Sequence, residues 1–303
     1  MNLKEIEYIL KIDEERNVTR AAEKLYLTPS ALNQQLLRLE QEIGSPLFNR
    51  VRSGWTRTLA GDIYMEGARE LMRIKKETYN RLQDVTDRKK GTLSVGFPPE
   101  RGSRMFTSIY PFFHKKYPDI TINIIENSVR KQQKSISRGE LDIGFVTLRE
   151  SQYSKDDYRL ICSEELILAV PASHPACSKA YSDGGKYPVL QISEVEDSPF
   201  ALMYKESTIY DCVDMIFRQA GFTPNVLFET ARAKTIMDIV SAGMCCGIVP
   251  DSDVLSYQKN VSLFSLPNHP CWNIMALTRK GSYLSEPIKD FISLATRYWN
   301  TAL

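Results

Sequence analysis

Histidine is scarce in this 303-residue chain, which carries only His114, His174 and His269. Two of them stand directly before a proline, and none falls at a spacing that suits a metal-ligand pair or a nucleophile with its base. No catalytic residue, metal or cofactor is therefore expected, and the histidines read as core or loop residues. The six cysteines, Cys162, Cys177, Cys212, Cys245, Cys246 and Cys271, include no Cys-x-x-Cys pair. Their mostly apolar or strand-like contexts suit reduced thiols packed as small hydrophobes. No run approaches the roughly 20 uncharged apolar residues of a membrane span, and the opening MNLKEIEYILK has neither the apolar core nor the cleavage site of a signal peptide. A cytoplasmic chain with no membrane partner is expected, and its length predicts two or three domains.

Acidic residues are missing from two particular stretches. The net charge is only +2, and residues 1–90 hold 17 Lys and Arg against 14 Asp and Glu, a mild excess. Yet no acid occurs from Thr28 to Leu39, and none from Ile43 to Gly61, where Arg50, Arg52 and Arg57 sit beside Gly54 and Trp55. That second stretch reads as a small two-stranded wing whose arginines would lie along phosphates or enter a minor groove. A solvated surface loop is the plainer alternative.

What is present is organised around residues 19–48. Ala21, Ala22 and Leu25 put small and apolar groups on one face of a short helix, with Thr19 placed to cap it. Tyr26 and Leu27 fill a turn. Thr28 followed by Pro29 is an N-cap and first-turn signature, and Leu32, Leu36, Leu39 and Ile43 recur at spacings of four, three and four, predicting a buried stripe. Ser30, Asn33, Gln34 and Gln35 are left outside. Amides and hydroxyls near a helix N-terminus suit base edges and phosphates in a major groove; a plain helical hairpin with a solvated face has the same spacing. A first helix, Leu3 to about Glu15, offers Leu3, Ile6, Ile9, Leu10 and Ile12 as the supporting face. From Asp62 to about Arg88 there is no proline, and Tyr64, Ala68, Leu71, Lys75, Thr78, Leu82 and Val85 alternate at spacings of four and three. One amphipathic helix of about 40 Å is predicted, either paired along that stripe or serving as a solvated spacer.

Past the charged hinge of Asp87, Arg88, Lys89, Lys90 and Gly91 the pattern changes. Apolar runs at 92–97, 120–126, 142–147, 166–170, 200–203, 225–229, 246–249 and 274–278 read as strands. Helix-like stretches at 103–116, 129–138, 208–220, 234–242 and 283–299 lie between many of them. Such alternation gives mainly parallel α/β sheets, and ligands in them gather where strands end and helices begin. Two corners stand out: Pro98-Pro99-Glu100-Arg101-Gly102-Ser103, and Tyr204-Lys205-Glu206-Ser207-Thr208, where Thr208 and Asp211 would form a capping-box variant. Each hydroxyl taken singly reads as a helix cap. Glu100 and Glu206 pairing with Arg101 and Lys205 would leave a neutral pocket instead.

The chain resembles the LysR-type family of bacterial transcriptional regulators. The likeness runs through Leu3 to Leu10, Thr19-Arg20-Ala21-Ala22, Leu25, the 29–43 stretch, Arg38-Leu39-Glu40, Gly44, Pro46-Leu47-Phe48, Arg50, Gly54, Thr58 and Ala60-Gly61. It continues more loosely in Pro118, Gly139 to Gly144, Val170-Pro171, His174-Pro175, Gly221-Phe222 and Gly247 to Pro250. Departures occur where the family has Ser-Gln-Pro-Ala-Val-Ser-Arg-Gln and this chain has Thr28 to Gln35, and at Arg57 and Leu59. The resemblance implies an α+β multidomain protein: a winged helix-turn-helix over 1–61, a dimerising linker helix over 62–89, and an effector domain like periplasmic solute-binding proteins. The lobes of that domain are 91–161 plus 268–303, and 162–267, with crossings near Ile161 to Glu165 and Ser265 to Asn268. It further implies double-stranded DNA held by Thr28, Pro29, Ser30, Asn33, Gln34, Arg38, Arg50, Arg52 and Arg57. A small effector, a carboxylate if matched to Arg101 and Lys205, would sit among Pro98, Pro99, Glu100, Arg101, Ser103, Thr147, Tyr204, Lys205, Ser207, Thr208 and Thr230. Implied partners also include further copies of the chain, as homodimer or homotetramer, and RNA polymerase. A cysteine-based redox sensor on the same scaffold is the alternative, with Cys162 and Cys177 or Cys245 and Cys246 as its thiols; a solute receptor would leave the first 90 residues idle.

Overall fold

The computed structural model describes residues 2–51, 54–86, 90–254 and 260–302. Arg52 and the hinge residues Asp87, Arg88 and Lys89 lie outside the described residues. Two compact units emerge, Met1–Arg88 with Arg138–Glu140, and Lys89–Ser137 with Leu141–Leu303.

In the first unit, Asn2 and Glu5 exchange side-chain bonds to each other's backbone N–H at 2.9 Å, a capping box that starts α1 (Leu3–Glu15). Its period buries Ile6, Ile9 and Ile12, while Leu3 stays exposed, so the packing face begins one turn later than its spacing predicts. The cap of α2 (Val18–Lys24) is Asn17, not Thr19: the Asn17 side chain accepts from the Thr19 and Arg20 N–H groups at 2.9 and 3.1 Å. Asn reaches these donors from outside the helix, whereas Thr19 is already within it. α3 (Pro29–Ile43) packs Leu32, Leu36 and Leu39 against Ile9, Ile12, Ala21, Ala22, Leu47, Phe48 and Met65. Each such aliphatic side chain contributes about 1.5–3 kcal/mol by leaving water. Ile43, the predicted fourth member, is exposed where the helix runs past this core. β1 (Phe48–Val51) and β2 (Gly54–Arg57) form the antiparallel wing, with Arg50 opposite Trp55. α4 (Leu59–Thr86) begins three residues before the predicted start because Thr58 caps it, accepting from the Gly61 N–H at 3.0 Å. Met65 and Ala68 are buried; further along, Leu71, Ile74, Tyr79, Leu82 and Val85 are exposed.

The second unit alternates β3 (Gly91–Phe97), α5 (Arg101–Lys116), β4 (Ile120–Glu126), α6 (Val129–Ser137) and β5 (Ile143–Leu148). There follow β6 (Asp157–Pro171), β7 (Pro199–Met203), α7 (Thr208–Ala220), β8 (Asn225–Thr230), α8 (Ala233–Ser241), β9 (Cys246–Pro250), β10 (Val261–Ser265), β11 (Cys271–Thr278) and α9 (Glu286–Ala302). The strand order is β4-β3-β5-β11-β6-β9-β7-β8, with β10 paired on β6. β3 runs parallel to β4 and β5, and β7 to β8 and β9, while β11 lies antiparallel between β5 and β6. β6 is far longer than the apolar run at 166–170: residues 157–165 pair with β11, and from Leu166 on the strand pairs with β9 and β10. One continuous strand thus serves two halves of the sheet. One core gathers Val95, Phe113, Phe145, Phe291 and Trp299 under α5 and α9, and another gathers Leu168, Phe200, Phe217, Ile248 and Trp272.

Candidate nucleic-acid interface and effector site

Thr28 Oγ1 accepts from the Ala31 N–H at 3.2 Å and Pro29 occupies the first turn, so α3 starts where its sequence places it. With Leu32, Leu36 and Leu39 held in the core, the helix cannot rotate, and Ser30, Gln34 and Arg38 stand exposed at successive spacings of four; Asn33 is half-buried beside them. Tyr26, expected to fill the turn, is 96 % exposed with φ 55°, because the left-handed bend before α3 turns its ring outward while Leu27 points in.

The wing arginines differ in what they touch. Glu40, buried at the end of α3, accepts from the Leu47 N–H at 2.8 Å and from Arg50 Nη2 at 3.0 Å. Arg50 also lies over the Trp55 ring at 5.0 Å. α3 therefore aims the wing arginine. Arg57 instead pairs with buried Asp13, which Arg69 also contacts at 2.6 Å, and reaches Asp62 at 3.3 Å. The departure at position 57 is thus matched by an acid 44 residues earlier.

At the first effector corner, Gly102 and Arg101 N–H groups donate to Pro98 and Pro99 carbonyls at 3.2 and 2.9 Å. Glu100 has φ 67° and makes no side-chain cap, and Ser103 Oγ donates to Glu126 at 2.5 Å. Arg101 pairs neither with Glu100 nor with a solvent-facing partner. Its guanidinium donates to Glu164, 1 % exposed, whose carboxylate also accepts from Trp272 Nε1 at 3.0 Å and the Ser252 N–H at 2.8 Å. Burial alone would raise the Glu164 carboxyl; Arg101 and the Ser252 bonds hold it below the usual carboxylate range. Sequence reading passes over Glu164. Its signal is the Glu164-Glu165 pair inside a strand, where alternation must turn one acid inward.

At the second corner the predicted Thr208 and Asp211 capping variant does not form. Ser207 is the N-cap without a side-chain bond, Thr208 Oγ1 donates to the Thr147 carbonyl at 2.6 Å, and Asp211 accepts from Gln152 at 2.6 Å. These bonds are better partners than the helix's own first turn because they join α7 to the end of β5. The Tyr204 N–H donates to the Thr230 carbonyl at 3.0 Å, and Lys205, exposed, lies 3.9 Å from Glu229 rather than pairing with Glu206. Thr147 and Thr208 meet, as do Tyr204 and Thr230. Pro98 to Ser103 bond elsewhere, among themselves and to Glu126 and Glu164.

His269, which the sequence presents as a core or loop residue, is a clasp: Nδ1 lies 2.8 Å from Glu165 and Nε2 2.8 Å from Asp183. Asp183 first, then Glu165, raise the imidazole pKa above its ordinary value, and the Gly185 N–H with His269 depresses the Asp183 carboxyl. The histidine's contribution is fully present below about pH 6.5 and is lost as pH rises through its raised folded value; that of Asp183 is present above about pH 3.9 and is lost as pH falls through its lowered value. The clasp should therefore stabilise most between about pH 4 and 6.5. Thermal unfolding from pH 5 to 9 should show a wild-type decline on the alkaline side that His269→Gln flattens; parallel curves would remove the clasp from the stability profile.

Burial pushes the thiols of Cys162 and Cys246 up to about 12 and that of Cys212 up to about 11, and raises those of Cys245 and Cys271. A thiol so shifted is a poor nucleophile. Among the described residues no group of three or more His, Cys, Asp and Glu is arranged to hold a metal, and no helix is long and apolar enough to cross a membrane.

Comparison with known proteins gives two family matches: "Bacterial regulatory helix-turn-helix protein, lysR family" over residues 3–62, and "LysR substrate binding domain" over residues 86–300. Among curated relatives, the uncharacterized HTH-type transcriptional regulator YcgK of Bacillus subtilis is 26 % identical, covering 97 % of this chain and 94 % of its own. The HTH-type transcriptional regulator AlsR of the same organism is 28 % identical over 83 % of this chain and 81 % of its own. A full-length OxyR variant from Pseudomonas aeruginosa has a similar fold, with TM-score 0.74, 22 % identity and coverage of 98 % and 94 %. Full-length CbnR complexed with its target DNA gives TM-score 0.52 at 21 % identity, covering 98 % and 99 %.

Proposed function

We propose, given that this chain belongs to the LysR family of bacterial regulatory helix-turn-helix proteins and is a transcriptional regulator rather than an enzyme, a division of labour among its residues. Ser30, Gln34 and Arg38, with Asn33, read base edges of double-stranded DNA in the major groove, and Thr28 and Pro29 set where that face begins. Arg50 holds the phosphates. Arg57, bound to Asp13 and Asp62, fixes the wing to α1 and contributes to DNA binding through shape. Arg52 keeps its proposed phosphate role from sequence alone. The exposed apolar side of α4 pairs with a second copy, spacing two recognition helices, and RNA polymerase is the partner that receives the signal.

The boundaries follow the same reading: 1–61 for the DNA-binding domain, 62–89 for the linker, and lobes 91–161 plus 268–303, and 162–267. The first boundary falls inside α4. In the effector domain, a small carboxylate rests at the second corner, near Lys205, Ser207, Thr208, Tyr204, Thr147 and Thr230, where the start of α7 favours an anion. Pro98, Pro99, Glu100 and Ser103 shape the facing wall, and Arg101 supports it through Glu164. The ligand acts by its differential affinity for two lobe arrangements, a coupling of about 1–3 kcal/mol.

The exposed Ser30, Gln34 and Arg38 row on a helix locked by three buried leucines carries the DNA reading. Selection of bound duplexes from a random pool tests it, and variants assign the roles. Gln34→Ala and Asn33→Ala should each cost about 1–3 kcal/mol on the selected site and relax a base position, whereas Arg50→Ala should weaken every duplex and flatten the salt dependence. Equal losses on selected and random DNA for all three would refute the assignment. Thermal stabilisation by candidate carboxylates, lost in Lys205→Ala, tests the effector corner. The redox alternative requires a thiolate; burial raises the thiols of Cys162, Cys245 and Cys246, and an oxidant response lost when all six cysteines are replaced would favour it.

A further inference from the structure

Among the described residues, most buried donors around Glu164 have found an acceptor. Four have not: Ser252 Oγ, Arg101 Nε, Arg101 Nη1 and Trp299 Nε1. Arg101 Nη2 donates to Glu164, but Arg101 Nε and Nη1 are buried with no hydrogen-bond partner among the described residues, and so is Nε1 of Trp299, itself 5 % exposed. The guanidinium carbon lies 5.1 Å from the Trp299 ring centre and 5.3 Å from that of Trp272, so these N–H groups belong to one tight cluster. Native interiors rarely leave several such donors together without an acceptor, because each has given up its hydration for nothing.

We propose that this cluster is a binding site for the carbonyl oxygen of a small neutral molecule, such as a primary amide. Guanidinium has five N–H donors and can serve a second acceptor while holding the first. Its charge, however, is already balanced by Glu164 within the same buried shell, and the neighbouring cation Arg104 is paired with Asp253. A second carboxylate would enter as a buried anion with no cation left to offset it, whereas an amide or ketone oxygen satisfies the same donors without adding charge.

The site also bears on lobe movement. Trp299 packs in the core beneath α5 and α9, Trp272 in the core with β7 and β9, and Arg101 lies against both rings. A ligand bridging Arg101 and Trp299 touches the strut between those cores and can favour one arrangement over another. The inference does not rest on the carboxylate corner: the cluster selects against the very charge that Lys205 would attract.

The test uses the full chain labelled with ¹⁵N. Its three indole N–H resonances, from Trp55, Trp272 and Trp299, are assigned by single tryptophan to phenylalanine variants. Propanamide and propanoate, equal in shape and different in charge, are titrated separately. The expected result is a saturable downfield movement of the Trp299 resonance with propanamide and none with propanoate, while Trp55 stays still. Trp299→Phe keeps an aromatic face and removes the N–H together with part of the ring; it should weaken propanamide binding roughly threefold to tenfold, read from the Trp272 resonance. Lys205→Ala should leave the amide response unchanged. A Trp299 shift that grows linearly without saturation, an equal or larger response to propanoate, no response to either probe, or loss of the amide response in Lys205→Ala would each overturn the proposal.

Discussion

Arg101→Met should lower the stability of the C-terminal unit by about 3–5 kcal/mol, because Glu164, at 1 % exposure, would lose the cation that compensates its buried charge and would have to take up a proton or stay unpaired. Trp272 and Trp299 flank the site and report its unfolding by fluorescence; the denaturant midpoint should fall at an unchanged slope. The pair itself is not where the stability comes from. Desolvating two charges offsets most of their attraction, so Arg101→Met combined with Glu164→Gln should recover part of the loss: the single amide oxygen of glutamine can replace only one of the two carboxylate oxygens that accept from the Ser252 N–H and Trp272 Nε1. A double variant as unstable as the sum of its singles would refute this account, since the two residues would then act independently.

Gly61→Ala should be the most damaging single methyl in the N-terminal unit. A Cβ there would stand 2.1 Å from the Leu47 carbonyl oxygen, which already accepts from the Thr58 N–H at 3.0 Å. Neither backbone can move without pulling the wing away from α4, so the cost should reach the upper part of the ~1–3 kcal/mol range for overpacking. DNA binding should fail with it. Gly67, six residues later in the same helix, has nothing within 4 Å of the equivalent position, and Gly67→Ala should instead stabilise by about 0.5–1 kcal/mol. Thermal unfolding of the two variants compares a clash with an open site on one helix; similar shifts would show that α4 is not clamped at Leu47.

The helices of the first unit are legible because each buries a stripe at helical spacing, and Thr28-Pro29 marks a start that depends on nothing distant. Errors come at ends: Thr19 for Asn17, Asp62 for Leu59, Ile43 past the edge of the core. The first half of β6 shows in the sequence only as a crossing near Ile161 to Glu165, since DYRLICSEE mixes charge into a strand that is half-covered. β10 shows in the sequence only as a crossing. Least visible are partnerships: Asp13 with Arg57, and Arg101 with Glu164, 63 residues apart. Periodicity tells a residue which way to face, and it carries no information about who will be waiting there. For that reason the sequence shows Arg101 but not the glutamate that its guanidinium meets.

The placement of β11 between β5 and β6 separates the order of synthesis from the order of assembly. When a ribosome has delivered residues up to 265, the edge of β5 is still bare and α9 is missing from beneath the sheet, so the part of the sheet begun first is the last one finished. Its closure must wait for a segment more than 100 residues downstream, a long-range pairing that slows folding and leaves an open strand edge exposed meanwhile. Chains truncated before Cys271 should accumulate in aggregates or with chaperones even though the first unit's own core is complete by Met65.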